Sequence, residues 1–284
     1  MAELVFWKMH GLGNDYILID NRDGRLCDEV LSPLAQKLCR RRFSVGADGL
    51  LLVYDSNVAD VKMRIFNADG SEAEMCGNGI RCLAKYCYEG GVIVKSEIRI
   101  ETLTGIKTVQ LNIEDGRVKA VRVDMGIPIF KRERIPIAGE GEFINEELKV
   151  NDEVFKATCL SVGNPHCVIF IENVDDFPVA YYGPRIENHP LFPKRINVEF
   201  AQVIRQDLIK VRVWERGVGE TLACGTGACA SVVAGNILGK VNRECTVQLP
   251  GGELKIEYDE SNRIFMTGPA ETVYKGIISL EGLI

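Results

Sequence analysis

Two short segments of this chain, far apart, repeat each other around a cysteine, and that repeat restricts the fold more than any other feature. Met63-Arg64-Ile65-Phe66-Asn67 leads through Glu72 to Cys76-Gly77-Asn78-Gly79, and Val211-Arg212-Val213-Trp214-Glu215 leads through Glu220 to Cys224-Gly225-Thr226-Gly227. The spacing is ungapped, since Arg64 and Arg212, like Cys76 and Cys224, stand 148 residues apart. A second pair of blocks repeats at an offset of 150: Gly13-Asn14-Asp15-Tyr16 before Ile17-Leu18-Ile19, and Gly163-Asn164-Pro165-His166 before Cys167-Val168-Ile169. Each half therefore reads as strand, Gly-Asn turn, strand, helix, two strands, Cys-Gly-x-Gly, helix and a strand meander.

The periodicity predicts helices over about 33–42 and 78–89 in the first half and about 175–187 and 226–238 in the second. Strands over 97–102, 107–113 and 117–124 alternate β-branched and polar residues, with a hairpin signal at Glu114-Asp115-Gly116-Arg117. The helix after Cys224 carries Ala228, Cys229, Ala230, Val232, Val233, Ala234 and Ile237; the one after Cys76 carries Ile80, Cys82, Leu83, Ala84, Tyr86 and Cys87. A helix apolar around most of its surface is a buried one. The expectation is a mixed α+β fold of the α/β class, with two pseudo-symmetric lobes, each a β-sheet or barrel wrapped around a central helix. The first lobe, 1–125, carries Cys76; the second, 126–268, carries Cys224; Gly and Pro at Met125-Gly126-Ile127-Pro128 and Gly268-Pro269 mark the junctions. A last strand over 271–281 is expected to return, so that 269–284 completes the first lobe.

Charge and cysteine usage narrow the function classes. A net charge of −6 argues against a nucleic-acid-binding surface. The one basic cluster, Arg40-Arg41-Arg42, is expected to close the helix that Ser32-Pro33 opens, where cations suit the carbonyl end of the dipole. No apolar stretch approaches the roughly 20 residues of a membrane span, and Lys8 and His10 arrive too early for a secretory signal. Ten cysteines diluted over 284 residues read as a reduced, cytoplasmic protein rather than a disulfide scaffold. With three histidines, no C-x-x-C pair, and Cys76, Cys82 and Cys87 wrongly spaced, no metal is expected.

The two Cys-Gly-x-Gly turns carry the chemistry. A cysteine at a helix N-terminus feels unpaired backbone N–H groups and the positive end of the dipole. Both draw a thiol's pKa down from about 8.5 toward neutrality. The glycines let a ligand approach the backbone, and the N–H groups of Gly77-Asn78 and Gly225-Thr226 suit a carboxylate. Each turn is expected to supply an acid/base and half of an anion cradle, with one sulfur acting as base and the other as acid. The scheme requires no pyridoxal phosphate or other cofactor. Cys27, Cys39, Cys82, Cys87, Cys159, Cys167, Cys229 and Cys245 read as inert packing residues.

With these blocks assembled, the chain resembles the diaminopimelate epimerases along essentially its whole length. The resemblance rests on Lys8-Met9-His10-Gly11-Leu12-Gly13-Asn14-Asp15, Phe66-Asn67-Ala68-Asp69-Gly70-Ser71, Met75-Cys76-Gly77-Asn78-Gly79-Ile80-Arg81-Cys82, Gly163-Asn164-Pro165-His166, Trp214-Glu215-Arg216-Gly217-Val218-Gly219-Glu220-Thr221 and Ala223-Cys224-Gly225-Thr226-Gly227-Ala228. It implies that Cys76 and Cys224 are the acid/base pair, tuned by His166 and Glu215. It also implies that Asn14, Asn67, Asn164, Asn197, Glu215 and Arg216 line the substrate site. The implied function is cofactor-independent interconversion of LL- and meso-2,6-diaminopimelate in lysine biosynthesis, by a cytoplasmic homodimer with the strand around Tyr274 as candidate contact. The implied lobes close on the substrate. Asparagines read an amino acid without adding charge, and the forked donors of Arg216 suit a distal carboxylate.

One departure is Gly49, where some members of the family carry a glutamine that approaches substrate; glycine supplies no such contact. Four other readings compete: a proline-racemase-like enzyme, a sugar or isoprenoid-type isomerase of related fold (which usually lacks the cysteine pair), a thiol redox protein joining Cys76 to Cys224, and a non-enzymatic amino-acid-binding protein. A proline site needs no partners for a second amino-acid end, whereas Asn67, Asn197 and Arg216 offer them.

Overall fold

The computed structural model describes residues 3–279. The chain divides into two compact units, one running to Val123 and resuming at Gly268, the other spanning Asp124–Thr267. The fold is mixed α+β and dominated by strands. Among the described residues, no helix is long and apolar enough to cross a membrane.

In the first unit β1 (Glu3–Gly11), β2 (Asn14–Asp20), α1 (Asp28–Leu38), β3 (Gly49–Tyr54), β4 (Val61–Asn67) and the short β5 (Glu72–Ala73) precede α2 (Gly77–Glu89). After them come β6 (Glu97–Thr102), β7 (Gly105–Glu114) and β8 (Arg117–Gly126). In the second, β9 (Phe143–Val150), β10 (Glu153–Ser161), β11 (Pro165–Phe170), α3 (Val179–Glu187), β12 (Asn197–Arg205), β13 (Leu208–Glu215) and β14 (Gly219–Thr221) precede α4 (Gly225–Ile237). They are followed by β15 (Glu244–Leu249), β16 (Gly252–Tyr258) and β17 (Ile264–Gly268). The last strand, β18 (Glu271–Ser279), pairs antiparallel with β1.

The sequence repeat becomes a repeat of strand register. β2 runs parallel to β3 with Tyr16 opposite Gly49, and β11 runs parallel to β12 with His166 opposite Asn197. Leu50 pairs with Phe66 and Val198 with Trp214; Phe66 then pairs with Glu72 and Trp214 with Glu220. A right-handed crossover through α1 or α3 is what a parallel pair of this kind requires. Each central helix is sealed by its own strands. Ala228, Cys229, Ala230, Val232, Val233 and Ala234 of α4 are fully buried, as are Ile80, Cys82, Leu83, Ala84 and Cys87 of α2.

Three expectations fail in detail. The first helix covers Asp28–Leu38 rather than 33–42, because the apolar spacing Leu31, Leu34, Ala35, Leu38 starts it a turn earlier. Pro33 lies inside it on the solvent side, where the freed Glu29 carbonyl can be hydrated. The Arg40-Arg41-Arg42 run therefore stands past the helix end and does not close it; Arg42 is left-handed at φ 72° and Arg41 turns back to Asp15 and Asp48. The helix α3 begins at Val179, not 175, because Pro178 precedes it and the carbonyls of Val174, Asp175 and Phe177 accept from Arg212 Nη1 instead.

Gly183 shows how closely α3 packs on β13: a Cβ added there would lie 2.5 Å from Trp214 Cγ. Gly183→Ala is expected to cost about 1–3 kcal/mol, the range for overpacking a filled core. The test is denaturant unfolding, with a lower midpoint at unchanged m-value.

Candidate active site

Both Cys-Gly-x-Gly turns of the repeat end in the same way. Cys76 and Cys224 are the N-cap residues of α2 and α4, with extended backbones (φ −139° and −120°) and no side-chain cap hydrogen bond. A Ser, Thr, Asp or Asn at that place would satisfy a first-turn N–H; a thiol does so weakly and leaves donors for a ligand.

In the first unit Cys76 is half-buried, with its Sγ 2.8 Å from Tyr16 Oη and 3.8 Å from Asn14 Oδ1. Asn14 Oδ1 also accepts from Tyr16 Oη at 2.5 Å and from Asn78 Nδ2 at 3.1 Å. Asn14 Nδ2 donates to Asp48 Oδ2 at 2.9 Å, and Asp48 is held by Arg41. Asn67, at the end of β4, is exposed and donates to Ser71 Oγ. The structure thus gathers Cys76, Gly77, Asn78 and Asn14 at one place, and leaves Asn67 on the neighbouring turn.

In the second unit Cys224 is 5% exposed. Burial pushes its thiol well above the usual range, reinforced by the charges of Glu215 and Glu199 and opposed by Thr226 and the Gly227 N–H. The helix N-terminus is expected to draw this thiol down; burial acts in the opposite direction. Burial likewise raises the Glu215 carboxyl, against a hydrogen bond from Thr221 Oγ1 at 2.5 Å, the charge of His166 and the Cys224 thiol. His166 is fully buried, with Nδ1 2.7 Å from Glu199 Oε1 and Nε2 2.8 Å from Asn164 Oδ1. Asn197 gives one N–H to Pro165 O and its Oδ1 accepts from Arg216 N, so it holds the turn that presents Arg216. The Arg216 side chain is exposed, with one contact to Lys194 O at 3.3 Å; Gly225 and Thr226 form the first turn of α4.

Four residues here escaped sequence reasoning. Tyr16 looked like part of a Gly-Asn turn. Glu199, wholly buried, has Oε2 without a partner among the described residues. It sits against the first turn of α4, where a Cβ on Gly227 would come within 2.7 Å of Oε1. Glu187 accepts from Trp214 Nε1 at 2.7 Å and from Gly217 N at 2.8 Å, tying the Arg216 turn to α3. Arg41, with Lys8, brackets Asp15 beside Asn14. For Tyr16 and Glu199 no periodic signal exists, since a polar residue on a buried strand face looks like an exposed one; Glu187 and Arg41 are engaged by residues far away in sequence. Among the described residues, no cluster of three or more His, Cys, Asp or Glu side chains is placed to hold a metal ion.

The sequence model of the family described as diaminopimelate epimerase matches residues 6–131 and 158–273. The chain belongs to the diaminopimelate epimerase family. It is accordingly an isomerase of the racemase and epimerase type. The diaminopimelate epimerase of Moorella thermoacetica is 52% identical over 278 residues, covering 97% of this chain and 99% of that protein. That of Methanococcus maripaludis is 51% identical over 279 residues, covering 98% and 100%. Among solved structures, a Bacillus anthracis phenazine biosynthesis protein of the PhzF family superposes with TM-score 0.73 at 19% identity, covering 98% of this chain and 100% of that one. A hydroxyproline epimerase from Agrobacterium vitis, solved with bound trans-4-hydroxy-L-proline, gives TM-score 0.73 at 13% identity, covering 98% and 93%. These two share the fold.

The Asp15 cluster generates a pH prediction. Burial alone would raise the Asp15 carboxyl, but hydrogen bonds from Arg41 and Lys8 win and hold it at about 2 against the usual 3.8. A carboxyl whose folded pKa is depressed stabilises fully above its unfolded value and loses that contribution as pH falls through the folded one. Acid unfolding of the protein is expected to draw on Asp15 between about pH 4 and pH 2. Asp15→Asn should lack that part of the pH dependence, as followed by circular dichroism across the window.

Proposed function

We propose that this chain interconverts LL- and meso-2,6-diaminopimelate by proton transfer at the α-carbon, with Cys76 and Cys224 as the two acid/base groups. The observation that carries the reading is the duplicated N-cap cysteine in matching register, in a chain half identical to diaminopimelate epimerases over nearly its full length. Inversion at carbon needs a proton to leave one face and another to arrive on the opposite face, so two groups serve better than one. The repeat offers two, one in each unit.

The residues divide the work. Cys224, held as a neutral thiol by burial, enters as the acid, and Cys76 takes the α-proton; the roles exchange with the handedness of the substrate. The first-turn N–H groups of α2 and α4, which Cys76 and Cys224 do not cap through their side chains, stabilise the α-carboxylate as charge builds on it during deprotonation. Glu215 acts on Cys224 directly, and His166 acts through Glu215 and its hydrogen-bond partner Glu199, while Asn14, Asn67, Asn164, Asn197 and Arg216 read the two amino-acid ends. Arg216 has an exposed guanidinium suited to the distal carboxylate. Nothing in this scheme requires pyridoxal phosphate. The same reading makes the enzyme a cytoplasmic participant in lysine biosynthesis. It also makes it a homodimer through the β18 face, where Val273, Tyr274 and Ile277 are 56%, 45% and 63% exposed.

Proton NMR of LL-diaminopimelate with the reduced protein in D₂O tests the reaction. The α-proton signal is expected to disappear as the meso isomer forms, and Cys76→Ala and Cys224→Ala should each slow this by roughly 10²–10⁴-fold or more. No exchange with fully reduced protein would remove the reading.

A further inference from the structure

The register repeat sets Tyr16 of the first unit where the second has His166: one stands opposite Gly49 in a parallel pair, the other opposite Asn197. Their contacts differ. His166 is turned to Glu199 and Asn164, whereas the Tyr16 hydroxyl lies on the sulfur of Cys76 at 2.8 Å. The ring is 4% exposed and fills a slot framed by two glycines. A Cβ on Gly49 would stand 3.3 Å from ring Cε1, and one on Gly79 would stand 3.6 Å from Cζ. A side chain at Gly49 would press on the ring, while Gly79 leaves it in ordinary contact. A Cβ at Gly49 would also meet Phe66 O at 2.8 Å, so the missing side chain serves both the pairing of β3 with β4 and the packing of Tyr16.

We propose that Tyr16 is a catalytic hydrogen-bond partner of Cys76, its single hydroxyl proton turning between Asn14 Oδ1 and the sulfur as Cys76 takes and gives the α-proton. This rests on the two-thiol reading above. A phenol has one proton and acceptor capacity on its oxygen. While Cys76 is a thiol, S–H donates to Oη and Oη–H donates to Asn14 Oδ1, 2.5 Å away. When Cys76 is a thiolate, the phenol proton turns to the sulfur. Asn14 Oδ1 is not stranded, because Asn78 Nδ2 continues to donate to it. Nor can the Asn14 amide flip at no cost, because its Nδ2 is bound to the Asp48 carboxylate.

An acid/base group that must be stable in both protonation states needs a neighbour that serves both, and a hydroxyl rotor is such a neighbour. Tyr16 itself neither gains nor loses a proton. Burial, then the adjacent Cys76, hold its phenol well above the usual 10, so it remains a donor throughout.

Tyr16→Phe removes only the hydroxyl and leaves the ring in its slot, so the melting temperature is expected to change little. In full-length protein, alkylation of Cys76 by iodoacetamide at neutral pH should slow roughly ten- to a hundredfold, the range for losing a hydrogen bond to a charged group. Mass spectrometry of the Cys76 peptide reads this, with exposed Cys27 as internal control. Turnover number should fall by a similar factor with little change in KM. Wild-type rates in both assays would overturn the proposal. A readout without any variant is the ¹³Cζ resonance of labelled tyrosines: one should move when Cys76 is alkylated, and no response would equally overturn it. If the unaltered protein exchanges no α-proton, the two-thiol reading fails, and the alkylation comparison still decides the Tyr16–Cys76 contact.

Discussion

Two helices that begin on a cysteine rather than on a capping hydroxyl or carboxylate are the constraint around which each unit is built. The first-turn N–H groups of α2 and α4 need acceptors, and neither Cys76 nor Cys224 supplies a side-chain cap. Such a helix end is tolerable only if the rest of the helix is firmly held, and both helices are sealed by apolar packing on nearly every face. The packing of the helix body thus supports an N-terminus that the cysteine side chain leaves uncapped. In the proposed reaction that division between a well-packed body and an uncapped tip is what suits the turn to an anion beside a thiol.

The repeat is geometric more than chemical. Positions that match by register carry different side chains: Asn67 against Glu215, Asn78 against Thr226, Tyr16 against His166, Leu51 against Glu199. The first unit surrounds its sulfur with neutral hydrogen-bonding groups, while the second surrounds its own with ionisable ones. Burial dominates in the second, raising both Cys224 and Glu215.

Much of the fold was legible because it is periodic. The helices after the two cysteines fall within a residue of their expected limits, and the strand Glu97–Thr102 matches its alternation. What escaped has a physical reason in each case. Ser32-Pro33 resembled a helix start, but the apolar stripe from Leu31 to Leu38 outweighed the proline. The three arginines resembled a helix end, yet Arg41 is drawn to Asp15 and Asp48, residues distant in sequence. Glu199 and Tyr16 sit on strands whose apolar neighbours give no hint of a polar contact; only the register brings them to a helix N-terminus. The expected lowering of Cys224 failed because a motif conveys the dipole but not the depth of burial.

The central claim is that the proton taken and the proton returned travel through different sulfurs. A single turnover of α-deuterated LL-diaminopimelate in ordinary water, with the product resolved and analysed by mass spectrometry, tests it most directly. The account predicts meso product carrying protium at the inverted carbon from the first turnover, with deuterium retained in unreacted LL substrate. Meso product that keeps its deuterium would contradict it, since one group would then have carried the same proton from face to face.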